Sequence, residues 1–184
     1  MRLSVASGLY KGRTLFAPKL STTRPTQALV RDAFFNSISS QIEESQMLDL
    51  FAGFGAIGLE AISRGASQAT FVESHPKACD AIKKNIATLN VETQTRLVRL
   101  DCLKALERLS NEGLCYDLIF ADPPYSNKQL YSEVITKVSA LNLLKSTGTL
   151  AIECPKDYTP AEMQSLKIDR VKTYGSTKLI FIKN

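Results

Sequence analysis

The chain has 184 residues, 44% of them hydrophobic and 22% charged, a composition that fits one globular domain with a sizeable core and excludes a disordered tail protein. The formal net charge of +5 is unevenly placed. Residues 1–40 hold Arg2, Lys11, Arg13, Lys19, Arg24 and Arg31 against a single acid, Asp32, while residues 41–184 balance to zero. This divides the chain into a basic N-terminal extension (1–40) and a neutral body (41–184), and it points to a polyanionic partner that meets the extension first. No apolar run is long enough to span a membrane. Residues 1–10 lack the basic and apolar regions of a signal peptide. Cys79, Cys102, Cys115 and Cys154 are scattered rather than spaced as metal ligands, and they read as reduced thiols of a cytoplasmic protein. The single histidine, His75, argues against a Cys/His zinc site and against a Ser-His-Asp triad.

Residues 2–20 carry Leu3, Val5, Leu9, Leu15 and Phe16, interrupted by Gly8 and Gly12, a pattern expected of a short hairpin. After the loop at 21–25, Pro25 suits the start of a helix, and Leu29, Val30, Ala33, Phe34 and Ile38 recur at helical spacing up to about Ser40. The body then alternates. Strands are expected at 47–52, 69–73, 95–100, 116–121 and 148–153. Helices are expected at 57–64, 76–89, 103–109 and 129–141, with a short helix at best over 160–166. Two extended runs, 168–174 and 178–182, meet around Gly175 and predict a terminal hairpin. Alternating strands and helices imply a parallel sheet covered on both faces, and a strand that returns directly beside its neighbour must be antiparallel.

Two loops carry the chemistry. The first, Asp49-Leu50-Phe51-Ala52-Gly53-Phe54-Gly55-Ala56-Ile57-Gly58, follows the first body strand. Gly53 and Gly55 permit a tight turn and close approach to a ligand, and Gly58 permits close helix–strand packing. Glu73 ends the next strand and can accept from two ribose hydroxyls. Asp101 follows the third strand, where it either lies near a base or caps the next helix. Asp49 can reach an ammonium. Acids at these positions, with no basic residue for a pyrophosphate, suit a nucleoside bearing an α-amino acid better than a dinucleotide. The second loop, Asp122-Pro123-Pro124-Tyr125, follows the fourth strand. Its prolines stiffen the backbone and are expected to leave two carbonyls free, which with Asp122 form an acceptor cluster for an exocyclic amine. Tyr125 offers a face for stacking a splayed base.

Together these motifs resemble the S-adenosylmethionine-dependent methyltransferases with a Rossmann-like fold. That resemblance implies a mostly parallel seven-stranded sheet with an antiparallel C-terminal strand, here carrying a small N-terminal hairpin and helix. It also implies a cofactor site at Asp49, Phe51, Ala52, Gly53, Phe54, Gly55, Glu73, Asp101 and Cys102, a catalytic loop at Asp122, Pro123, Pro124 and Tyr125, and no metal. With Lys11-Gly12-Arg13-Thr14-Leu15, Arg24-Pro25-Thr26 and Val30-Arg31-Asp32-Ala33-Phe34-Phe35-Asn36 included, the chain resembles the RsmD-type bacterial rRNA methyltransferases over nearly its whole length. This further resemblance implies methyl transfer to the N2 amine of one guanine in 16S rRNA, at position 966 in the usual rRNA numbering. The enzyme would act as a monomer on an assembling or assembled small subunit. Lys11, Arg13, Lys19, Arg24 and Arg31 would contact phosphates. Two features depart from the family pattern: Ser74-His75-Pro76 stands where a charged pair is more common, and Phe54 stands where a small residue is. The competing readings are an adenine-N6 methyltransferase of DNA or RNA and a non-catalytic RNA-binding protein that keeps the fold. The first would need a target-recognition domain for which this chain has no room, and the second a blocked cofactor pocket.

Overall fold

The computed structural model describes residues 3–17, 25–160 and 166–184, with only the backbone described at 25–27. The short helix expected over 160–166 therefore falls largely outside the described residues. Helix α1 (Pro25–Ser37) leads into β1 (Gln46–Leu50). Then follow α2 (Ala56–Ser63), β2 (Gln68–Val72), α3 (Pro76–Leu89) and β3 (Thr95–Val98). The chain continues through α4 (Cys102–Asn111), β4 (Tyr116–Ala121) and α5 (Lys128–Ala140). It closes with β5 (Leu144–Pro155), β6 (Lys167–Tyr174) and β7 (Thr177–Lys183).

The strands form one seven-stranded sheet in the order β3-β2-β1-β4-β5-β7-β6. Strands β1 to β5 run parallel, and β7 runs antiparallel between β5 and β6. The terminal hairpin thus inserts its second strand inward and leaves β6 at the edge. This is the Rossmann-like methyltransferase architecture that the motifs imply. β5 starts earlier than the expected Gly148, because Leu144 already pairs with Tyr116 before the register shifts and resumes at Leu118↔Thr149.

Parallel strands buried on both faces read as continuous apolar runs, and the two faces carry separate cores. Met47, Phe71, Leu118, Phe120, Ala151 and Phe181 pack on one side with Phe34, Ile38, Leu59 and Ile82. Leu48, Leu50, Ile119, Leu150 and Ile152 pack on the other with Leu106, Tyr131, Val134 and Val138. Gly58 makes the first layer possible: a Cβ there would lie 2.3 Å from the Phe71 ring, so only glycine lets α2 settle on β2.

The N-terminal segment belongs to the first core, with Val5 and Leu15 buried in it. The expected hairpin is reduced to one antiparallel bridge, Ser4↔Thr14, supported by Gly12 N–H donating to Val5 O (2.9 Å) and Leu15 N–H donating to Leu3 O (2.8 Å). Its turn is fastened to α2 instead of extending into strands. Tyr10 N–H donates to Ser63 Oγ (2.9 Å), Leu9 N–H donates to Ser63 O (2.7 Å), and Ala6 N–H donates to the buried carboxylate of Glu60 (2.7 Å). A Cβ on Gly8 would sit 1.8 Å from Ser63 O, so this approach too requires glycine.

Candidate active site

The direction of strand addition reverses between β1 and β4. In open α/β sheets, ligands bind outside the carboxyl ends of the strands at such a switch point. Both loops singled out in the sequence leave these two neighbouring strands. The alignment Leu50↔Ala121 and Leu50↔Val72 places Phe51, Asp122 and Glu73 just beyond the same row.

The glycine loop is held in an unusual backbone. Phe51, Gly53 and Gly55 have φ of 63°, 56° and 82°, and for Phe51 this left-handed conformation is strained. The acids hold it there. Gly53 N–H donates to Glu73 Oε2 (2.8 Å) and His75 N–H to Glu73 Oε1 (2.8 Å). Gly58 N–H donates to Asp49 Oδ2 (2.9 Å), which satisfies an amide of the first turn of α2 from below. Asp49 is 2% exposed, and burial, reinforced by nearby Glu73, pushes its pKa up to about 7 despite the Gly58 bond. Beside the loop, Phe51, Val72, Glu73, Leu100, Asp101 and Cys102 line a small cleft. Asp101 both caps α4, accepting from Leu103 N–H (3.0 Å), and stands in the cleft wall. Ala52 is buried, and Phe54 is half-buried beside it.

The second loop departs from expectation in one respect. Its carbonyls are not free: Tyr131 Oη donates to Pro123 O (3.1 Å) and Asn127 N–H donates to Pro124 O (3.0 Å). The cause is the turn into α5, which returns Asn127 under Pro124 and brings Tyr131 up beneath Pro123. A carbonyl oxygen has two lone pairs, so Pro123 keeps one acceptor site. Asp122 is held well above the usual carboxylate range, by burial first and then by the carboxylates of Glu153 and Asp49.

Glu153 is a site residue that the sequence reading missed. It is 7% exposed, its own pKa is raised by burial, and it stands one position past the Ala121↔Ile152 pair, next to Asp122. The available signal was a lone acid at the end of an otherwise apolar strand. Asn85 was missed too. It is fully buried, accepts from Phe16 N–H (2.6 Å), and donates to Phe16 O (3.0 Å) and Phe54 O (2.9 Å). It thereby ties the N-terminal segment to the glycine loop. Its signal was a polar residue on the apolar stripe of α3.

Of the basic residues expected to meet RNA, Lys11 and Arg13 are exposed. Arg31 donates to Ser4 O (3.1 Å) and so also serves the extension's own backbone. Lys19 and Arg24 lie outside the described residues. Among the described residues no helix is long and apolar enough to cross a membrane, and no acidic, His or Cys group converges as a metal site.

A cationic ligand fits this arrangement. Asp122 feels the charges of Glu153 and Asp49, and Asp49 that of Glu73, with no basic partner among their named contacts, and a sulfonium or ammonium would relieve this repulsion. Asp49 and the Phe51–Gly55 loop would hold the amino acid end of S-adenosylmethionine, Glu73 its ribose, and Asp101 with Cys102 the base side. Residues 3–183 match the family model described as conserved hypothetical protein 95. YlbH of Bacillus subtilis is 33% identical over 182 residues, covering 98% of each chain. The ribosomal RNA small subunit methyltransferase D of Escherichia coli is 36% identical over 152 residues, covering 83% of this chain and 71% of that one. The solved structure of yhhF from Escherichia coli superposes with a TM-score of 0.86 at 27% identity, covering 99% and 97% of the two chains. The chain belongs to the conserved hypothetical protein 95 family and is an S-adenosylmethionine-dependent methyltransferase.

Proposed function

We propose that this enzyme methylates the exocyclic N2 amine of a specific guanine in 16S rRNA, on the small ribosomal subunit. The observation that carries the reading is that Asp122-Pro123-Pro124-Tyr125 leaves the end of β4 immediately beside the glycine loop that leaves the end of β1. An amine acceptor cluster and a methyl donor site then share one switch point. The name of the Escherichia coli relative supports the rRNA assignment, and the basic extension supports a polyanionic substrate.

The cofactor supplies an electrophilic methyl group on a sulfonium cation. Asp122 and the remaining lone pair of Pro123 O accept the two N2–H bonds, turning the nitrogen lone pair out of conjugation and toward that methyl. An ionised carboxylate accepts its N2–H more strongly than the protonated acid does. The raised pKa of Asp122 therefore matters: a cation beside it lowers that pKa and makes the carboxylate available when the cofactor is in place. The nitrogen would gain the methyl as the S–CH3 bond breaks, leaving the neutral thioether S-adenosylhomocysteine, and would then shed a proton, to Asp122 or to water. Tyr125 stacks the flipped guanine. Lys11 and Arg13, with Lys19, Arg24 and Arg31, position the RNA through its phosphates.

The test is transfer of labelled methyl groups to small subunits lacking the native modification, followed by mapping of the product nucleoside. N2-methylguanosine at a single site is expected. Methyladenosine, or no product with intact particles and cofactor, overturns the reading.

A further inference from the structure

We propose that Glu153 and Thr177 are positioning residues that grip the Tyr125 hydroxyl, so that the ring is already in place when the target base arrives. The inference rests on the reading of Tyr125 as a stacking platform. Tyr125 is 45% exposed, and its loop neighbours Pro124, Ser126 and Asn127 are exposed as well. A ring on such a loop would ordinarily sample several rotamers. Here the polar tip points inward: its Oη lies 2.6 Å from Thr177 Oγ1 and 3.1 Å from Glu153 Oε1. Both partners are buried, at 2% and 7% exposure.

The proton arrangement favours the grip. Thr177 Oγ1 lies 2.9 Å from Cys154 O and donates there, because a carbonyl can only accept. Glu153 Oε1, at 3.3 Å, is a second and longer acceptor for Thr177; with the Thr177 proton on Cys154 O, the Tyr125 hydroxyl proton is shared between Thr177 Oγ1 and Glu153 Oε1. The support is rigid. Glu153 and Thr177 lie on adjacent antiparallel strands aligned at Glu153↔Leu179 and Pro155↔Thr177, and Pro123, two residues before the ring, is pinned by Tyr131. An exposed aromatic face with a buried, doubly bonded hydroxyl is what a pre-ordered stacking surface requires, since little ordering remains to be done on binding. The grip also explains why the one antiparallel strand matters to the site: β7 brings Thr177 to the carboxyl end of β5.

The test uses the full-length enzyme with small subunits lacking the modification, alongside NMR of ring-labelled tyrosine without substrate. Tyr125→Phe, which keeps the ring, is expected to lower kcat/KM for particles about tenfold, with cofactor Kd unchanged within twofold. Thr177→Val, which leaves the Glu153 contact, is expected to lower it less, and the double variant to lose no more than Tyr125→Phe, because the phenylalanine already removes both contacts. Thr177→Ser is expected to restore activity. In NMR, NOEs from the Tyr125 ring should define one χ1 rotamer in the wild type and several in Thr177→Val. Multiplicative losses in the double variant, wild-type activity for Tyr125→Phe, or several χ1 rotamers of Tyr125 already in the wild type would overturn the proposal. If wild-type enzyme fails to methylate particles, the rRNA reading fails, and the ring signals still decide the grip.

Discussion

Asp49→Asn is expected to stabilise the cofactor-free protein progressively as pH rises. Asparagine keeps an oxygen for the Gly58 amide and removes only the charge. In the folded wild type Asp49 has its pKa pushed up to about 7, whereas in the unfolded chain an aspartate titrates near 3.9. The protonated carboxyl therefore contributes stability that is fully present below the unfolded pKa and is lost as pH rises through the folded one. Between pH 5 and pH 8 linkage gives a loss of about 2–3 kcal/mol in the wild type that the variant does not suffer. For a domain of this size that corresponds to about 5–10 °C in Tm. Urea unfolding of the two apo proteins at pH 5, 6.5 and 8 measures it. The free-energy gap should widen by that amount toward pH 8. Parallel pH profiles would falsify the raised pKa of Asp49 in the empty site. The same reasoning makes wild-type cofactor affinity rise between pH 6 and 8, since a bound cation must displace the proton, while the variant's weaker affinity stays flat.

Four further outcomes follow from named contacts. Glu73→Ala removes the acceptor of the Gly53 and His75 amides as well as the proposed ribose acceptor, so calorimetry should show cofactor binding weakened about ten- to hundredfold. Asp122→Ala should cut methyl transfer about 10²–10³-fold while cofactor Kd changes only slightly; an equal loss of cofactor affinity would place Asp122 in the cofactor site instead. Gly58→Ala drives a methyl into the Phe71 ring and should cost about 1–3 kcal/mol in denaturant titration. The Lys11→Ala/Arg13→Ala pair should weaken particle binding and lower the slope of log K against log salt by about 2, with cofactor binding intact.

Local signals made much of this protein readable from its sequence. Glycine and proline mark their own backbone constraints, so the turn at Gly53–Gly55, the helix starting at Pro76 and the stiff loop at Pro123–Pro124 were visible without any partner. Hydrophobic periodicity likewise marked the alternation of strands and helices, and glycine at 175 marked the terminal hairpin. These features depend on residues within a few positions of one another, and the structure places them where they were expected.

What only the tertiary structure decided involves partners far apart in the chain. Glu153 stands beside Asp122 because β4 and β5 pair in parallel with Ala121 against Ile152; composition near Glu153 carries no sign of that neighbour. Asn85 joins Phe16 to Phe54 because α3 docks under both. The Pro123 and Pro124 carbonyls, free by local logic, acquire donors when α5 folds back. The raised pKa values of Asp49 and Asp122 arise from burial and from carboxylates gathered from separate strands. Sequence alone thus marked the two loops and their acids as candidates for the chemistry, though not Glu153. Strand register and helix docking decided which of them face one another, and therefore which protons they hold.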